Sequence, residues 1–302
     1  MAPRIVNRIV PSTAFALGVV RALVHGVFLI AVLFTSFSAL GSLPITIIRP
    51  TGAMKFLPWG FYDQLLTPSG MFAFKVLMAL SLLLGTLGLW TRISTKTSFL
   101  IMLFYQGLVR SFGHFNHDEM LAVYYLGVLA FTPCGDRFSL DSRRRKSKIE
   151  LPRMAYAYPI LLMQLLMAWV YFSSALIKLR VAGLKYLSVD NLPALAIFHS
   201  LDNLHDTGFR FAFSLPAVKE YLPFAVGLVL VWELFFPLAV FWRRARFWIL
   251  GFGIAFHLAT LLLMNIFFPY QLAMYLIFVN WDHRSSPIKE DRPPEPAEIV
   301  VR

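Results

Sequence analysis

Between Ala14 and Trp281 the chain returns repeatedly to apolar runs long enough to cross a bilayer, about 20 residues each. A segment in lipid has no water to satisfy its backbone, which limits such runs to helices or closed barrels. A soluble domain of 302 residues would be nearer half apolar and a quarter charged. Here 58% of residues are hydrophobic and 15% charged, with a mean hydropathy of +0.66. The sequence therefore predicts an all-α, polytopic transmembrane helix bundle of about eight helices, with interfacial segments on the outer face.

Residues 1–13 read as a cytoplasmic arm, residues 14–281 as the membrane domain, and 282–302 as a disordered, charged and Pro-rich cytoplasmic tail. Arg21 and His25 interrupt the first apolar run, which argues against a cleaved signal peptide. The stretch from Gly41 to Gly70 is too apolar for a solvated loop, so it reads as a cap with Trp59, Phe61 and Tyr62 at headgroup level. TRISTK reads as a basic turn before a third helix starting near Thr97. RRAR reads as a second basic turn, between a sixth helix carrying Glu233 and a seventh carrying His257, and a last helix ends near Trp281.

The net charge of +12 first suggests nucleic acid, but the cations fall in short loops between apolar runs and no nucleic-acid module is visible. With the N-terminus inside, the inner segments hold 18 of the 28 Lys and Arg residues. That bias predicts an integral membrane protein with both termini cytoplasmic, and a bacterial inner membrane is its expected location. It also brings Asn116, His117 and Lys178 to the outer face, with His257 deeper. The single cysteine, Cys134, excludes an internal disulfide.

One helix face carries most of the polar chemistry. Gln164, Tyr171, Ser174 and Lys178 follow one another at seven, three and four residues, while the other faces are apolar. Lys178 either snorkels to a membrane surface or acts as a base or ion partner in a polar pocket. Glu233 lies within an apolar run and needs a cation, with Arg21 the first choice for a structural ion pair and Lys178 the second. His117 is either a polar helix-start residue beside Asp118 and Glu119 or a site residue. His257 is either a hydrogen-bonded interior histidine or a functional one. His114, His117, Asp118 and Glu119 lie close in sequence, yet nothing in their spacing demands a metal, and none is expected.

Several of these stretches together resemble a known family. VYFSSALIKL, FALGVVRALVHG, LGLWTRIS, FNHDEMLAVYYLGVLAF, FSLD and FHLATLLLMNIFFPY occur in the order found in vitamin K-dependent γ-carboxylases. ELFFPLAVFWRRAR is similar to the sixth helix of bacterial HTTM-domain proteins. Ile177 stands where the vertebrate enzymes have a first lysine, and RVAGLKYL replaces their Trp-x-x-Gly. The resemblance implies a reduced quinone of the vitamin K or menaquinol type as cofactor. It also implies Lys178 as the base, His117 and Asn116 as its catalytic partners, and Arg21, His257 and Tyr171 lining the cofactor pocket. An amine out of water gives up its proton more readily, which is the physical basis of that role.

Two functions stand at this point. One is quinol-linked carboxylase or oxidoreductase chemistry, a lyase-type activity at the outer face on a secreted or membrane protein substrate. The other is a non-catalytic membrane module that binds a lipid or quinone, or assists a secreted partner, with the charges serving only the bundle.

Overall fold

The computed structural model describes residues 10–113, 120–147, 151–202 and 211–282, and every regular element among them is helical. The α-helices longer than ten residues are α1 (Ala14–Phe34), α2 (Pro68–Leu87), α3 (Thr91–Ser111), α4 (Met120–Ala130), α5 (Arg153–Ala182), α6 (Asn191–Asp202), α7 (Leu222–Phe235) and α8 (Arg243–Met264). By length and composition, five spans could cross a membrane: α1, α2, Arg153–Leu187, Phe211–Phe235 and α8. A polytopic all-α bundle is thus the fold. α3, α4 and the last segment, which the expectation of eight crossings also needs, fall outside that set.

Helix ends explain the chain path. Thr13 caps α1 by accepting from the Ala16 N–H at 3.1 Å. The carboxylate of Asp282 in turn accepts from the N–H groups of Ser12 and Thr13 and from the Thr13 hydroxyl, at 2.9, 3.1 and 2.7 Å. Asp282, the first residue of the expected tail, is thus tied to the start of α1. The rest of the tail lies outside the described residues.

TRISTK is not a turn but the first turns of α3. The reversal happens earlier, at Gly88 and Trp90, both with left-handed backbone (φ 66° and 48°). A helix beginning with Arg92 and Lys96 opposes its own dipole. The compensating acid comes from fifty residues away, where the Asp141 carboxylate accepts from Trp90 N–H, Thr91 N–H and Thr91 Oγ1 at 2.9, 2.6 and 2.7 Å. Burial pushes the Asp141 carboxyl up, but these hydrogen bonds and the nearby Arg145 outweigh it and hold it below the ordinary carboxylate range. RRAR is likewise helical, forming the first turn of α8.

The last helix of the sequence reading is a six-residue α-helix, Pro269–Met274, followed by a 3₁₀ turn, Tyr275–Phe278. Asn265, left-handed at φ 53°, ends α8, and Pro269 restarts the chain. Ten helical residues rise about 15–17 Å, half of a hydrocarbon core. Residues 43–66 form short turns and the helix Trp59–Leu65. Trp59 is 58% exposed, but Tyr62 turns inward and donates to the Met54 carbonyl, so only part of the expected aromatic rim faces outward.

The core lies where α1, α2, α4 and α5 meet, around Leu17, Leu82, Leu126, Ile160 and Met163, all buried. Many large apolar side chains remain exposed on the outside, including Phe72, Trp169, Phe224 and Trp248. With no water on that side, such a surface fits lipid. The bundle has a basic end, where α1, α3, α5 and α8 begin, and a far end, reached by the last turns of α5.

Candidate functional site

α5 is 30 residues long, about 45 Å, so it overruns a hydrocarbon core of about 30 Å. All four residues of its polar stripe find partners inside the bundle. Nearest the basic end, Gln164 Nε2 donates to the Ile277 carbonyl at 2.9 Å. Two turns further on, the Tyr171 hydroxyl is hydrogen bonded to His257 Nε2 at 2.7 Å and to the Tyr275 hydroxyl at 2.9 Å. Above it, Ser174 Oγ donates to Glu233 Oε1 at 3.2 Å. At the top, Lys178 Nζ donates to both oxygens of Glu233, at 2.6 and 2.7 Å.

Packing holds this column tightly. The Tyr171 ring stacks on Phe236 at 4.3 Å between centroids and lies 4.8 Å from Trp232. Trp232 donates its indole N–H to the Ile249 carbonyl at 2.8 Å, which ties α7 to α8. α8 approaches so closely that a Cβ on Gly253 would overlap the Tyr275 hydroxyl and the Trp232 ring. His257 sits between Phe256 and Phe268, at 5.1 and 5.2 Å, and its buried Nδ1 has no partner. Three other buried polar atoms on or beside these elements, Gln164 Oε1, Tyr125 Oη and Gln271 Oε1, are also unpartnered.

The ion pair spans an exposure gradient. The Glu233 side chain is 4% exposed and that of Lys178 is 24% exposed. The ammonium also lies 5.6 Å from the Tyr186 ring. In this arrangement the Lys178 nitrogen is directed at the Glu233 carboxylate, so the two side chains form an ion pair.

Arg21, the expected first choice for Glu233, is elsewhere. It lies near the start of α1, and its Nη2 donates to the carbonyls of Thr86 and Phe138 at 3.3 and 2.7 Å. Lys178 stands 25 residues beyond the start of α5, about 37 Å along its axis. The arginine thus clamps the basic end, neither pairing with Glu233 nor reaching Lys178. Gly88 makes this possible, since a Cβ there would collide with the guanidinium. Asn116 and His117 lie outside the described residues.

The sequence reading missed Tyr275, Trp232 and Arg246. Arg246 is buried and donates to the carbonyls of Ala239, Phe278 and Val240 at 2.8, 3.0 and 3.1 Å, although it sits in a run that looks like a solvated basic loop. Cys134 is buried, and burial pushes its thiol up to about 11, which leaves it unreactive. Among the described residues no group of three or more His, Cys, Asp or Glu could hold a metal ion.

A family model described as the HTTM domain matches residues 10–283. No curated protein and no solved structure matches the chain. The match runs from the residues that cap α1 to just past Asp282, so the whole helical bundle, with its lysine-bearing fifth helix, is one domain of this type. The chain is an integral membrane protein of the HTTM-domain family.

Proposed function

We propose that the far end of the bundle is the outer face and that the polar column below Lys178 takes up the ring of a reduced quinone-type lipid. The observation that carries this reading is the stacked order on one face of α5, an ion pair at the mouth above a Tyr171–His257–Tyr275 hydrogen-bond cluster. A hydroxylated ring needs a hydrogen-bond partner inside an apolar, aromatic cavity. The unpartnered Nδ1 of His257, between two phenylalanine rings, fits that requirement.

When bound, a reduced quinone supplies a phenolic hydroxyl and a pair of electrons. His257 and Tyr171 orient the ring, while the phenylalanines exclude water. Lys178 is a guarded base, available to accept a proton only when Glu233 releases it or takes up its proton. The basic end faces the cytoplasm, in keeping with the cation bias of its loops. Reporter fusions after Ser147 and after Arg244 test this orientation, and either one outside refutes it.

The binding test uses purified protein in nanodiscs titrated with a menaquinol analogue. His257→Gln and Tyr171→Phe should each weaken binding about tenfold, the worth of one hydrogen bond at ~1.4 kcal/mol. Wild-type affinity in both variants sinks the reading. Glu233→Gln frees Lys178, so it should raise quinol turnover if the lysine is a base.

A second reading has its own support in the two-point contact between Lys178 and the nearly buried Glu233, which suits a purely structural pair. In that case the module binds its lipid or a secreted partner without chemistry. Quinol-dependent oxygen consumption that is the same in wild type and Lys178→Met would select it.

A further inference from the structure

At the basic end, α3, the loop after α4 and the segment before α5 enclose a cleft of about 520 Å³. Arg92 and Lys96 stand four residues apart on α3 and so share the face that lines it. Arg145 lines the cleft as well. Among the described residues the carboxylate in the lining is Asp136, and both its oxygens are engaged, one by Arg145 at 3.1 Å and one by the Tyr156 hydroxyl at 3.1 Å. Asp141 lies behind Thr91 with its oxygens taken by the α3 cap. An anion would therefore be held by the Arg92 and Lys96 side chains rather than by the helix terminus.

The cleft is also two-faced. Phe131 and Leu151 line it and are 71% and 42% exposed. Trp90 and Ile93, beside Arg92 on the same turn, are 63% and 69% exposed. Cations set beside outward apolar and indole side chains match the boundary between headgroups and acyl chains. We propose that this cleft binds the phosphate headgroup of an anionic phospholipid, with Arg92 and Lys96 on the phosphate and Phe131 and Leu151 against the acyl chains. This site is separate from the polar column below Lys178, and its fate does not depend on the quinol reading.

The test compares thermal melting and retained lipid, by native mass spectrometry, for the full chain in neutral detergent. Phosphatidylglycerol, phosphatidylcholine, glycerol 3-phosphate and inorganic phosphate are added in turn. Phosphatidylglycerol should raise the wild-type melting temperature by several degrees and remain bound. The shift should fall by at least half in R92Q/K96Q and persist in R143Q/R144Q, which alters exposed cations outside the cleft. Both target side chains are exposed, so folding should be kept; if the double variant fails to fold, the single variants are read in the same way. A site-dependent shift with either soluble phosphate also supports the anion site, but assigns it a soluble phosphate ligand. Equal responses in all three proteins, or an equal response to phosphatidylcholine, overturn the proposal.

Discussion

The two ends of the bundle bury cations by different means. At the basic end, Arg21 and Arg246 donate to backbone carbonyls, Arg21 to two through Nη2 alone, its Nε and Nη1 being buried without a partner, and Arg246 to three. At the far end, Lys178 is matched by the carboxylate of Glu233, forming a pair with no net charge. A planar guanidinium spans several fixed carbonyls at once, whereas an ammonium is a point charge on a flexible stem. The arginines therefore weld helix ends together. The lysine pair can open without breaking any helix cap, as a site must if it is to exchange a ligand or a proton.

The largest effect should come from breaking a weld. Arg246→Met removes three charge-assisted hydrogen bonds and leaves three carbonyls unpaired, so it should cost about 4 kcal/mol or more. Folded, monodisperse protein after purification is the measure, and a variant that melts like wild type would end the contrast. Next comes Lys178→Met, which strands the Glu233 carboxylate in the interior and should cost about 3 kcal/mol. Combining it with Glu233→Leu removes both charges, and the loss should shrink to ~1 kcal/mol. If the double variant is as unstable as the single one, the pair is as much a weld as the arginines are.

Two smaller effects concern the caps. Asp282→Ala removes the acceptor for Ser12 and Thr13 and should cost ~1–2 kcal/mol, seen as a lower melting temperature in detergent. The Asp141 cap has a pH signature. Its carboxyl is held below the ordinary aspartate value of 3.8, so its contribution is fully present above about pH 4 and is lost as pH falls through the lower folded value. The melting difference between wild type and Asp141→Asn should stay constant from pH 7 to about pH 5 and narrow only below about pH 4. A difference that already narrows at pH 6 contradicts this account.

Hydrophobic runs and the stripe on α5 were legible in the sequence because each is a local pattern with the period of a helix. Gln164, Tyr171, Ser174 and Lys178 all point inward for that reason. What spacing does not encode is the partner. Glu233 had two candidate cations at a sequence level, and only the direction of α1 relative to α5 removes Arg21. The starts of α3 and α8 were misread for a related reason. TRISTK and RRAR look like solvated turns because they are basic, while the acid that caps one and one of the three carbonyls that absorb Arg246, that of Phe278, are supplied by remote segments. Tyr275 and Trp232 carried no signal, being two aromatic residues among many.

The contact between Asp282 and Thr13 joins residues 269 apart in the sequence. A membrane chain is threaded into the bilayer from its N-terminus as it is made, so α1 enters lipid long before Asp282 exists. Until then Ser12, Thr13 and the N–H groups they present must be solvated by water or headgroups at the surface. Closure of the bundle is thus recorded at its first helix, whose capping residue Thr13 is held by Asp282, among the last residues of the domain to leave the ribosome. A chain truncated before Asp282 would keep the Thr13 cap on Ala16 but lack the carboxylate that holds Ser12 and Thr13 in place.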